Sequence, residues 1–246
     1  MKFSIIIPTY KRPEKLKRAV DSVFSQLGDF SVQIIIVNDS PEYEYGEVER
    51  YIQVVDTSHS LIYIKNPENK GVNYSRNKAL ECVDVDTDYV LFLDDDDWFG
   101  DFALTDVVDV LRGGTVKWLM TNRMVGDQSL TVCNSGEGTY SFFLGYLIFK
   151  KIKGDATHCI ARDMAVKARF SSEIKNGEEW FYFIQLPTQI TYVPLPTTIS
   201  EGYAVEGLNA QMQDTYKKNT KYLFKEVKNI SMLIYLTMRW VYGIIK

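Results

Sequence analysis

The stretch from Tyr89 to Trp98 decides more about this chain than any other. Five strand-favouring residues, Tyr89, Val90, Leu91, Phe92 and Leu93, run straight into four consecutive carboxylates, Asp94, Asp95, Asp96 and Asp97. An apolar run without polar alternation predicts a strand buried on both faces, as at the centre of a parallel sheet. Four like charges at its end repel one another unless something cationic sits among them. Hard oxygen donors in that place suit Mg²⁺ or Mn²⁺, and such an ion would hold a phosphate-bearing ligand. A solvated acidic loop after a core strand is the competing interpretation. The rest of the chain has to decide between them.

Two more runs of the same kind precede it. Phe3 to Pro8 reads as a buried strand closed by proline, and Val32 to Val37 as a second, ending in Asn38-Asp39-Ser40. Between them Pro13 is well placed to start a helix. Leu16, Ala19, Val20, Val23, Phe24 and Leu27 give that helix one apolar face, and Gly28 ends it. Leu61–Ile64 forms a third strand, and Asn69-Lys70-Gly71 turns the chain into a helix over Tyr74–Cys82. Strand, helix, strand, strand, helix, strand predicts an α/β fold with one mostly parallel, doubly wound sheet. Ligands of such sheets bind beyond the carboxyl ends of the strands. Thr9-Tyr10, Asn38-Asp39 and Asp94–Asp97 all fall at those ends, which favours a ligand site over a solvated loop.

Later elements follow the same logic. A helix is expected over Phe102–Leu111, a strand over Val116–Met120, and either a core helix or an apolar wall over Tyr140–Phe149. Thr157–Ala161 reads as a strand. Gly177-Glu178-Glu179-Trp180 opens a helix, and Ile190–Leu195 reads as an edge strand because of Pro194 and Pro196.

Bulk properties exclude several classes. At 246 residues, 46% of them hydrophobic, the chain can bury a full core, and a net charge of −4 gives no reason to expect nucleic acid as partner. Cys82, Cys133 and Cys159 are odd in number and widely spaced, which fits reduced thiols rather than disulfides or zinc. The first apolar run is shorter than a signal-peptide core, and no uncharged run of eighteen apolar residues predicts a spanning helix. From 217 to 246 there are seven basic residues (Lys217, Lys218, Lys221, Lys225, Lys228, Arg239, Lys246) against Glu226, so that tail is +6 and the remainder −10.

Together the motifs resemble the family 2 inverting nucleotide-sugar glycosyltransferases, which have the GT-A fold. Ser4–Tyr10 is similar to the family's opening strand, and Ile35–Ser40 to its second strand with a base-binding aspartate. Asn69–Asn77 is similar to its Asn-x-Gly…Arg-Asn segment, and Phe92–Asp97 to its Asp-x-Asp motif. Gly177–Trp180 resembles the later Glu-Asp motif of the catalytic base, with glutamate as the second acid. The resemblance implies a GT-A catalytic domain over 1–205, its nucleotide-sugar half over 1–100 and its acceptor half over 101–205, followed by a helical extension over 206–246. It implies that Pro8, Thr9, Tyr10, Asp39, Asn69, Arg76, Asp94 and Asp95 contact the donor, a nucleoside-diphosphate sugar with UDP favoured. Asp96 with Asp94 would hold Mn²⁺ or Mg²⁺, although Asp95 and Asp97 form an overlapping pair. Glu179, or failing that Glu178, would act as base, and His158 is a further candidate metal ligand. Trp180 would either stack on an acceptor sugar or lie in the core.

The acceptor implied is a glycan or a polyprenyl-diphosphate-linked glycan, in surface-polysaccharide or O-antigen assembly. The lysine- and aromatic-rich tail suits an interfacial helix on anionic lipid, which would make the protein cytoplasmic and peripheral on the inner membrane face. Packing of the tail on the domain, or on another subunit of an oligomer, is the alternative. Three other functions fit less well. A nucleotidyltransferase would want glycine in Thr9–Pro13, and a phosphatase its aspartates on the first strand. A binding module without catalysis would not need all these acids together.

Overall fold

The computed structural model describes residues 1–55, 60–186, 189–202 and 219–245. Its first half comprises β1 (Lys2–Thr9), α1 (Pro13–Phe24), β2 (Ser31–Asn38), α2 (Gly46–Val55), β3 (Ser60–Lys65), α3 (Val72–Leu80) and β4 (Tyr89–Phe92). There follow β5 (Asp97–Phe99), α4 (Ala103–Leu111), β6 (Trp118–Val125), β7 (Gln128–Ser129), β8 (Val132–Cys133) and β9 (Gly138–Ser141). A π-helix (Phe142–Ile148) leads to β10 (Ile152–Lys153), β11 (Ala156–Ala161), α5 (Arg162–Ala165), α6 (Trp180–Phe183) and β12 (Gln189–Ser200), and the last helix spans Ile230–Ile245.

Eight strands lie in the order β3-β2-β1-β4-β11-β6-β12-β5, with β7 and β9 attached at its side. β1, β2, β3 and β4 are mutually parallel, β11 enters antiparallel between β4 and β6, and β12 runs parallel to β6. The continuous apolar runs follow from this placement. Phe3, Ile5 and Ile7 pack on one side with Ile34, Ile36, α1 and α4, while Ile6 packs on the other with Ile35, Val37 and α3. All four β1 side chains are fully buried, and each contributes on the order of 1.5–3 kcal/mol by leaving water. A strand covered on both faces has no use for alternating polarity.

Three expectations are corrected. A helix, α2, lies between β2 and β3, with Tyr45, Val48 and Ile52 buried at helical spacing. β12 is not an edge strand: it pairs with β6 on one side and with β5 and β9 on the other. Its prolines are accommodated by register shifts against β6 on either side of Pro196. The Tyr140–Phe149 stretch divides: Tyr140 and Ser141 join β9, Phe142–Ile148 form the π-helix, whose Phe142 and Leu147 enter the core, and Phe149 follows it exposed.

The last helix docks on the domain through Met232 and Leu236, both fully buried in the same core cluster as Ile174, Phe181 and Tyr182. Its other side exposes Ile230, Leu233, Ile234, Met238, Trp240 and Val241. No helix among the described residues is long and apolar enough to cross a membrane. The domain boundary expected at 205/206, and Lys217 and Lys218, lie outside the described residues.

Candidate active site

Parallel pairing brings the carboxyl ends of β1, β2 and β4 to one rim. β4 leaves the sheet there through a turn closed by Asp97 N–H donating to the Asp94 carbonyl at 3.0 Å. That turn sorts the four aspartates. Asp94, Asp96 and Asp97 each bring a carboxylate oxygen within 4.8 Å of the others. Asp95 faces the opposite way, into the loop after β1. It accepts from Thr9 Oγ1 at 2.8 Å, Tyr10 N–H at 3.3 Å and Arg12 at 3.2 Å. Thr9 and Asp95 are both buried. The two side chains pair with each other and brace the loop that presents Tyr10, a residue 42% exposed.

The cations that the acidic run demands are arginines. Arg12 reaches Asp96 at 2.7 Å, Arg76 reaches Asp94 at 2.8 Å, and Arg123 reaches Asp97 at 2.8 Å. Arg18 donates to the Asp96 carbonyl and stacks over Trp98 at 4.1 Å. Burial alone would raise the pKa of Asp94, but Arg76 and Arg123 outweigh it and hold the carboxyl below its ordinary value. Burial pushes Asp95 up to about 6 against the pull of Arg12. Burial and the neighbouring Asp94 charge push Asp97 up to about 7. Sequence reasoning missed Arg12, Arg18 and Arg123. Arg12 follows β1 directly, so the rule that picked out Thr9 and Tyr10 also reaches it.

Arg76 is the hub. It is 7% exposed, lies over the Phe170 ring at 5.3 Å, and extends one nitrogen to Asp94 and the other to Glu179 Oε1 at 3.2 Å. Its fork links the aspartate cluster to the later acidic pair. The two acids of that pair diverge. Glu179 stands immediately before the first residue of α6 without capping it, and its side chain, turned to Arg76, is 46% exposed. Glu178 is buried, its carboxylate held by Arg239 at 2.7 and 3.0 Å and by the Trp180 indole. Glu178 is thereby corrected as a base candidate, since both its oxygens are committed to an internal pair.

Asp39 organises the segment before α3. Its Oδ1 accepts from Asn66 Nδ2 and Lys70 N–H, both at 2.8 Å, and its Oδ2 from Gly71 N–H at 2.7 Å. A carboxylate offers about four acceptor positions, so one on Oδ2 remains. Pro8 is buried in β1 opposite Val37. Asn69 is exposed, and its carbonyl accepts from Lys175.

Two further expectations are corrected. His158 does not join the converging aspartates: its ring packs on Phe183 at 4.1 Å and its Nδ1 accepts from the Trp118 indole at 3.1 Å. Burial lowers its pKa to about 3, so the ring is neutral. Trp180 is not placed to stack on a sugar, because its ring sits 4.7 Å from Tyr235 and 5.1 Å from Arg239 of the last helix.

Asp94, Asp96 and Asp97 fit a divalent cation by chemistry, since three hard carboxylates converge where guanidiniums balance their charge. The mostly parallel sheet, with acids and arginines gathered at its carboxyl rim, has the GT-A arrangement. Residues 4–174 match the family described as Glycosyl transferase family 2, and the chain belongs to that family.

Among its relatives is the succinoglycan biosynthesis protein ExoW of Rhizobium meliloti (strain 1021). The two are 37% identical over 106 residues, which cover 42% of this chain and 32% of ExoW. Against two other curated relatives the chain spans 13% and 24% of their length. The fold is shared with residues 1–349 of S. aureus TarS in complex with UDP-GlcNAc, at a TM-score of 0.71 and 17% identity, over 99% of this chain and 72% of that one. It is shared also with a mannosyltransferase from Pyrobaculum calidifontis in complex with GDP-Man and Mn²⁺, at a TM-score of 0.62 and 13% identity, over 97% and 68%.

Proposed function

We propose that this protein is an inverting, metal-dependent glycosyltransferase. It moves a sugar from a nucleoside-diphosphate donor, UDP-linked by preference, to a hydroxyl of a glycan or lipid-linked glycan in surface-polysaccharide assembly. The observation that carries this reading is the Arg76 fork, which joins the carboxylate cluster to a half-exposed glutamate. Donor-side and acceptor-side groups thus belong to one ion-pair chain. The nucleotide sugars bound by TarS and by the Pyrobaculum mannosyltransferase, with Mn²⁺ in the latter, support the same donor class here. The name of ExoW supports polysaccharide assembly.

The exposed ring of Tyr10 offers a stacking face for the base, and Asp39 keeps an acceptor position for the base N3–H. Asp94, Asp96 and Asp97 would hold Mn²⁺ or Mg²⁺, which when bound neutralises the diphosphate as negative charge develops on the leaving group. Glu179 takes the proton of the acceptor hydroxyl while its oxygen forms the new bond to the anomeric carbon. The bond to the nucleoside diphosphate breaks on the opposite face, and the configuration inverts. Arg76 fixes the direction of Glu179.

The last helix would rest on the inner membrane leaflet, with Leu233, Ile234, Trp240 and Val241 exposed and Lys221, Lys225 and Lys228 exposed just before it. Flotation with anionic vesicles tests this part: Trp240→Glu should lose binding, and a wild-type protein that never floats retires it.

The central test measures nucleotide-sugar hydrolysis and transfer with and without Mn²⁺, in wild type and in Glu179→Gln. The wild type should turn over at least one donor only with metal. Glu179→Gln should bind that donor normally and lose about 10²–10⁴-fold in transfer. No metal-dependent response to any nucleoside-diphosphate sugar would retire the reading.

A further inference from the structure

The acidic pair sits on a turn that its own sequence does not favour. Gly177 has φ +76°, and Glu178 follows at φ +63°, a left-handed conformation that a glutamate does not hold unaided. Two left-handed residues in succession are what send the side chains of Glu178 and Glu179 in different directions. Something outside the turn must hold it.

Part of the hold comes from α3, where Asn73 Nδ2 donates to the carbonyls of Ile174 at 2.8 Å and Gly177 at 3.0 Å. The rest comes from the end of the chain. Glu226 accepts from the Ser172 and Glu173 amides at 3.1 and 3.4 Å and from the Ser171 hydroxyl. Arg239 grips both oxygens of Glu178, and its guanidinium lies 5.1 Å over the Trp180 ring. Arg239 and Glu178 are each 7% exposed and 61 residues apart in sequence.

We propose that Arg239 of the last helix is a positioning residue for the reaction: by pinning the Glu178 carboxylate it holds the left-handed turn that aims Glu179 at Arg76. This rests on the reading of Glu179 as the base. Without the guanidinium, a buried carboxylate has lost its counter-charge and must turn toward water. Turning out relaxes φ at Glu178 and carries Glu179 off the Arg76 fork. The donor side is untouched, because Asp94 and Asp96 are held by Arg76 and Arg12. The signature is therefore a loss in kcat with donor binding kept.

The test compares wild type, Arg239→Met, Arg239→Lys and Glu178→Gln in the full chain. It reads kcat, donor KM, and amide hydrogen exchange over 174–183 against β1 and β4. Misplacing a base by about an ångström lowers rates by about 10²-fold, so kcat of Arg239→Met should fall between about tenfold and a hundredfold. Donor KM should stay within about twofold, and exchange should rise over 174–183 only; Arg239→Lys should recover part of kcat. Should Arg239→Met fail to fold, Arg239→Lys and Glu178→Gln decide by the same readouts with smaller losses. Wild-type kcat in folded variants, parallel changes in kcat and donor KM, or unchanged exchange over 174–183 would each overturn the proposal. If the wild type transfers no sugar, the proposed reaction is what fails. The exchange arm, which needs no turnover, still reports whether Arg239 holds the turn.

Discussion

The guanidinium of Arg76 lies 2.8 Å from Asp94, and the pair is the joint between the two halves of the candidate site. Arg76 comes from α3 and Asp94 from the exit of β4, so the contact fixes that helix over the rim where the acids converge. The second arm of the same fork reaches Glu179, 103 residues on. An arginine suits this place because its planar fork binds two carboxylates at once and cannot lose its charge.

Arg76→Lys should therefore keep the charge and lose the bridge. A single ammonium cannot hold Asp94 and Glu179 in both directions. Loss of one preorganised donor in an active site lowers turnover by about 10²–10³-fold, and a drop of that order is expected in kcat. Circular dichroism should show a folded protein, and steady-state kinetics give the readout. Activity within about threefold of wild type would disconnect Arg76 from the reaction.

The aspartates should separate into two classes on substitution. Asp96→Asn removes one of the three convergent carboxylates and should abolish the Mn²⁺-induced rise in Tm, which for a ligand at a hundred times its Kd corresponds to about 2.7 kcal/mol. Asp95→Asn should leave the metal response intact and lower the melting temperature without metal. Asp95 braces Thr9, Tyr10 and Arg12 rather than the cluster. Thermal shift with and without Mn²⁺ on both variants checks the assignment, and equal loss of metal response would contradict it.

What the sequence made legible, and what it hid, divides along chain distance. β1, β2 and β4 could be read because a strand covered on both faces is apolar at every position. The rim could be read because those strands end together. Separating Asp95 from its neighbours was within reach, since alternate residues of an extended chain face opposite ways. The reversal at Asp97 needed the turn itself. Arg123 on Asp97, Arg239 on Glu178 and Glu226 on the Ser171 hydroxyl and the 172–173 amides join distant segments, and no local spacing encodes them. Proline in β12 points to an edge because it removes a ladder donor, yet register shifts let the strand sit inside the sheet. α2 carried a readable spacing in Tyr45, Val48 and Ile52, and only its acidic surface obscured it.

Gly71 should tolerate no side chain. Its φ is +90°, and a Cβ there would lie 2.5 Å from the Lys175 carbonyl oxygen. The conformation alone disfavours alanine by about 1–3 kcal/mol, before the overlap is relieved. Relief would push Lys175 and the 174–177 loop away from α3, where Asn73 holds it. Gly71→Ala should lower stability in urea titration by at least that amount and reduce transfer as well. An unchanged unfolding midpoint would show that this contact between segments bears no strain.

His158 should make the fold acid-sensitive. Its pKa in the folded protein is lowered to about 3 by burial, whereas an unfolded histidine titrates near 6.5. Above about pH 6.5 the ring is neutral in both states and has no effect on the balance. As pH falls below that value the unfolded chain takes up a proton that the folded one refuses, so stability declines. The decline continues until pH approaches the folded value, where both states are protonated. Between pH 6.5 and 5.5 this one group removes about 1 kcal/mol. His158→Asn keeps an acceptor for the Trp118 indole, which His158 Nδ1 now serves, and has nothing to titrate. Urea titrations of both proteins at pH 6.5 and 5.5 isolate the difference. A wild-type decline no steeper than that of His158→Asn would mean that the imidazole reaches water.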